Sequence, residues 1–105
     1  MKGYYDRIFD RVEQTACRCA SNTTGRELKA DEIYSGKTKT MLNVSIARSL
    51  ALMVMHDTYG IKYTTIAKRA DMSEKAVMKS CAKARIYRFS DPTYKRTYEL
   101  MMNML

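Results

Sequence analysis

Lys75, Lys79 and Lys83 recur every four residues. At 100° per residue they line one side of a helix, where their ammonium groups suit phosphate oxygens. The same segment places Val77, Cys81, Ala84 and Arg88 within about 60° of one another on the opposite side. Small apolar residues inward and a lysine stripe outward fit a helix lying in a DNA groove. At its head, Ser73, Glu74 and Lys75, with Lys79 one turn on, are the base-reading candidates. Glu74 is suited to accept from a cytosine amine and Lys75 to donate to a guanine. Covalent chemistry has no comparable support. His56 is the only histidine and sits in an apolar segment without an evident nucleophile, so no catalytic residue is assigned and no enzyme is expected. Cys17 and Cys19 are two apart and point about 200° from each other on a helix, so they do not chelate one metal there. Neither a metal nor a cofactor is expected, and Cys81 is read as a small buried hydrophobe.

The elements that must position these groups follow from periodicity. Ile66, Ala67 and Ala70 mark a short helix, Asp71-Met72 breaks it, and Ser73 caps a second helix running to about Arg88. This 63–88 segment reads as a helix-turn-helix. Small Ala67 allows close approach, Val77 fills the angle, and Asp71 stands where glycine is common but tolerates the left-handed conformation. Upstream, residues 3–20 form a helix with Tyr4 or Tyr5, Ile8, Val12, Ala16 and Cys19 inward and Asp6, Arg7, Asp10, Arg11 and Glu13 outward. The run Ser21-Asn22-Thr23-Thr24-Gly25 ends it. A short helical turn over 26–33 is anchored by Leu28 and Ile33, and a polar loop over 34–40 carries Lys37 and Lys39. The helix over 43–58 is apolar around much of its circumference and therefore central, with Asn43 or Ser45 as its cap and Gly60 as its stop. Asp91-Pro92 opens a last helix, with Tyr94, Tyr98, Met101 or Met102, and Leu105 packing on the core. The expected fold is a single all-α domain of about five to six helices.

Composition agrees. The 105 residues carry a net charge of +8, one proline and four glycines, as expected for one helical domain with a single core. Residues 61–105 hold ten basic and four acidic side chains, so +6 of the excess lies there. A polyanionic partner is implied, double-stranded DNA most simply. No apolar run reaches a membrane span, the basic helix lacks a bulky interfacial face, and no signal peptide is evident. No membrane partner is expected. The chain is therefore expected in the cytoplasm, and three cysteines, an odd number, argue there against a disulfide framework.

The order of elements resembles the C-terminal DNA-binding domain of the bacterial replication initiator DnaA, in the Trp repressor-like helix-turn-helix superfamily. The resemblance covers roughly residues 5–105. It is carried by Lys37-Thr-Lys39, Ser45-Ile-Ala-Arg48-Ser-Leu-Ala-Leu-Met, Tyr63-Thr-Thr-Ile66-Ala67 and Val77-Met-Lys-Ser-Cys-Ala. It implies minor-groove insertion by Lys37 and Lys39, backbone and groove contact by Arg48, and phosphate contact by Tyr63, Thr64 and Thr65. Lys68 and Lys83 join them as backbone candidates. It also implies binding through one domain, a monomer rather than a homodimer. Met72-Ser73-Glu74-Lys75-Ala76 stands where the family has Arg-Asp-His and two hydroxyl residues, which implies a different or relaxed sequence preference. Gly36-Lys37-Thr38 has Asp31 where a phosphate-binding loop needs glycine, so no ATPase is expected. The expectation is a small standalone DNA-binding protein, regulatory or replication-associated. The alternative is a protein-interaction module on the same fold that has lost DNA binding.

Overall fold

Tyr4–Thr24 forms α1, opened by Asp6, whose carboxylate accepts from the Gly3 amide at 2.8 Å. In this computed structural model the described residues are 3–36 and 41–105. The chain continues through a 3-10 turn at Ala30–Glu32, α2 at Leu42–Asp57, α3 at Tyr63–Ala70, α4 at Glu74–Ser90 and α5 at Pro92–Met104. The described residues are all-α, as the composition predicts, and their five α-helices pack with a radius of gyration of 12.3 Å.

α2 is the centre. Val44, Ile46, Ala47 and every residue from Ser49 to Met55 are buried, so it is enclosed on all sides over its middle turns. α1 and α4 pack against it, and α5 closes over α1 and α4. Lys83 reaches Ser45 while Arg85 reaches Asp57, residues about 18 Å apart along α2. α4 therefore crosses α2 steeply, and the small, fully buried Cys81 and Ala84 on its inner face permit the close crossing. Paired hydroxyls tie the layers: Ser49 with Tyr94 at 3.1 Å, and Thr23 with Thr97 at 2.6 Å.

Several sequence expectations need correction. Glu13, which helical periodicity places outward, is 4% exposed. The Arg69 guanidinium grips it through Nε (3.0 Å) and Nη2 (2.7 Å) and also donates to Asp10 at 2.8 Å. Tyr4 and Tyr5 are exposed at 81% and 42%, and Phe9 takes the buried aromatic place. α1 runs on through Thr24, and over this last stretch the hydroxyls of Ser21 and Thr24 bond back to the carbonyls of Cys17 and Ala20. It stops at Gly25, whose φ of 72° suits glycine. Neither Asn43 nor Ser45 caps α2: Met41 holds that position, and the Asn43 amide donates instead to the Arg26 carbonyl. Leu28 and Ile33 are buried as expected, and so are Tyr94 and Met101 on α5.

The Glu13–Arg69 pair fixes α3 to α1. Removing one partner leaves a carboxylate in a site almost closed to water, a change that typically costs about 3 kcal/mol. Arg69→Met is therefore expected to lower unfolding stability by about that much in urea titration, and Glu13→Gln in the Arg69→Met background to recover part of it.

Candidate nucleic-acid interface

α3 is short and ends where Asp71 takes a left-handed conformation (φ 54°, ψ 47°). The amides of Asp71 and Met72 then both return to the Ala67 carbonyl, so the turn satisfies its own backbone groups. Ser73 follows in extended conformation, and its Oγ accepts from the Ala76 amide at 3.1 Å. Val77 is fully buried in the angle between the helices and Ala67 is 8% exposed, the small and aliphatic pair that the turn needs. Ser73 thus has a capping role at the start of α4, while Glu74, Lys75 and Lys79 are exposed on its first turns. Lys68 and Thr64 are exposed four residues apart on the outer side of α3, and Thr65 is half-buried.

Other candidates are engaged within the fold. Arg48 donates from Nε to the Ile33 carbonyl (2.8 Å) and from Nη2 to the Ser35 carbonyl (3.0 Å), so it clamps the segment leaving the 3-10 turn. Lys37 and Lys39 lie outside the described residues. The Tyr63 hydroxyl accepts from Arg85 Nη2 at 2.7 Å, and its ring stacks on His56 at 3.9 Å. Lys83 donates to Ser45 Oγ at 2.7 Å and leans toward the start of α2. That contact brings the α4 lysine side next to the point where the chain enters α2.

Sequence reasoning missed the cluster that seats α3. Arg85 forms a two-pronged pair with Asp57, from Nε at 2.9 Å and from Nη2 at 2.8 Å, and also donates to Tyr63. The His56 Nδ1–H donates to the Ile61 carbonyl at 2.9 Å, which fixes the ring on which Tyr63 stacks. No local pattern marks this group, because Asp57 and Arg85 are 28 residues apart. Arg88, on the inner side as expected, donates to the Tyr98 hydroxyl and lies over the rings of Phe89 (4.7 Å) and Tyr98 (5.1 Å). The three arginines of α3 and α4 thus serve the interior or its edge, while lysines face out. That division suits a planar fork that binds carboxylates bidentately and a compact, strongly hydrated ammonium. The outer side of α4 is not lysine alone, since Met78, Ile86 and Phe89 are exposed there too.

All three cysteines are buried. Burial above all, with Glu13 next, pushes the Cys17 thiol up to about 12, and burial pushes Cys81 up to about 11, so neither is a ready thiolate. Among the described residues no three of His, Cys, Asp and Glu gather as a metal site. No described helix is long and apolar enough to cross a membrane.

Two outcomes test the geometry that presents α4. Asp71→Gly relieves a left-handed aspartate and is expected to raise stability by about 0.5–1 kcal/mol in thermal unfolding, whereas Asp71→Val lowers it. The hydrogen bonds from Arg85 hold the Asp57 carboxyl below its usual value of about 3.9. Its contribution to stability is therefore complete above that value and is lost as pH falls through the lower folded-state pKa. Asp57→Asn is expected to lower stability at neutral pH and to flatten the fall in stability below about pH 4, measured by urea titration across pH. No family model, curated protein or solved structure matches this chain.

Proposed function

We propose that this chain binds double-stranded DNA, with α4 entering the major groove by its N-terminal turns and α3 resting on the phosphates. The observation that carries the proposal is the division of cations in 61–105. Arg69 and Arg85 are ion-paired inside the fold, and Arg88 lies against aromatic rings. Lys68, Lys75 and Lys79 stand exposed around α3, the Asp71 turn and the start of α4. In the proposed complex Glu74, Lys75 and Lys79 face base edges and Ser73 holds the helix start. Thr64, Thr65, Lys68 and Lys83 meet the backbone, with Lys37 and Lys39 reaching an adjacent groove. Arg48 supports this surface by holding the segment that precedes Lys37. Tyr63, held by Arg85 and His56, sets the position of the first turn of α3.

The proposal includes a DnaA C-terminal-like relationship, a regulatory or replication-associated role in the cytoplasm, binding as a monomer, and no ATPase activity. Its support is the element order and the residues that carry the resemblance. Sequence preference is expected to be relaxed, because the Ser73–Ala76 segment lacks the family's base-reading residues.

Fluorescence anisotropy with a random-sequence duplex checks this. Affinity should fall with salt at a log–log slope of about −0.9 per neutralised phosphate. Lys75→Glu with Lys79→Glu is expected to weaken binding at least about tenfold and to shallow the slope by about 2. Absence of binding at low salt, or binding that ignores salt, overturns the proposal. Selection from a random duplex pool then reads the sequence preference.

A further inference from the structure

The outer side of α4 changes character along its length. Lysines dominate its first turns, but Ile86 is 65% exposed and Phe89 74% exposed near its end, and Met78 higher up is 48% exposed. At 100° per residue Met78, Ala82, Ile86 and Phe89 fall within about 80° and form a continuous apolar stripe. Single exposed hydrophobic residues are ordinary, whereas a rigid contiguous stripe marks a contact surface. The Arg88 guanidinium, itself bonded to the Tyr98 hydroxyl at 3.2 Å, lies over the Phe89 ring at 4.7 Å.

We propose that this stripe docks an acidic amphipathic helix of a partner protein. The charge around it selects that occupant. Lys75, Lys79 and Lys83 run along one edge of the stripe, and α4 carries no acidic residue after Glu74. A complementary surface therefore sets apolar anchors among carboxylates. A second copy of this chain is disfavoured, because stripe-to-stripe pairing would oppose the same lysines on two molecules of charge +8. Single-stranded nucleic acid fits less well: Ile86 offers no π-face, and Arg88 already covers one face of Phe89. The inference goes beyond DNA binding and does not rest on it. Phe89 stands about 21 Å along the helix from Lys75, outside a major groove about 12 Å wide.

The test uses the whole chain and a fluorescein-labelled amphipathic peptide with leucines at helical spacing and glutamates on the flanking positions. Binding in the micromolar range at physiological salt is expected. Ile86→Ser with Phe89→Ser should weaken it at least about tenfold, while the melting curve and random-duplex affinity stay as in the parent. In the unaltered protein, adding peptide should shift the amide resonances of Ala82, Ile86 and Phe89. Replacing the peptide's glutamates with lysines should abolish binding. The proposal is overturned by absent binding, by equal binding to the double variant, or by resonance shifts confined to other surfaces. It is equally overturned if the double variant instead loses oligothymidylate binding or self-association. Loss of duplex binding in Lys75→Glu with Lys79→Glu bears on the DNA proposal alone.

Discussion

A carboxylate at Glu13, almost closed to water, has to be paired, and Arg69 pairs it across 56 residues of chain. The fork is shared with Asp10 and passes over the Phe9 ring at 5.5 Å, so one guanidinium engages three residues on two adjoining turns of α1. Desolvation of Glu13 is offset by two short bonds in planar register, a geometry arginine supplies and lysine does not. The same carboxylate lies beside Tyr34, whose phenol burial drives well above its ordinary value, with the Glu13 charge adding to the shift. Because Arg69 belongs to the last turn of α3, this pair fixes that end of α3 against α1, next to the turn from which α4 starts.

The second anchor of α3 lies at its opposite end. Arg85 joins Asp57 at the end of α2 to Tyr63 at the start of α3, and His56 supports the Tyr63 ring from behind. An eight-residue helix has little stability of its own. Held at both ends by arginine pairs and in the middle by Ile66 and Ala70, it becomes a fixed platform. A rigid platform is what lets exposed lysines on neighbouring helices act as one surface rather than as independent charges.

Much of this was legible in local sequence. The left-handed turn at Asp71, the Ser73 cap, the Asp91-Pro92 start and the all-round burial of α2 each depend on residues within four or five positions of one another. Tyr94 and Met101 followed from the same periodicity. The candidate surface was legible in part. Lys75, Lys79 and Lys68 are exposed as their spacing implied, but nothing local separated Lys83, which leans on Ser45, from its neighbours. The helical wheel also places Ile86 among the lysines, a signal the charge pattern overshadowed.

The sequence by itself determined the order of the elements, the break at Asp71 and the helix starts at Ser73 and Asp91-Pro92, because caps, turns and helical periodicity act over a few residues and need no partner. Tertiary structure alone decided the work of the charged side chains. Arg48 became a clamp on two carbonyls, Arg69 and Arg85 became ion-pair partners, and Glu13 moved from an expected outer face to the interior. A charge's energy depends on whatever the fold brings near it and on how much water remains. Partners 13 to 59 residues away leave no trace in local spacing.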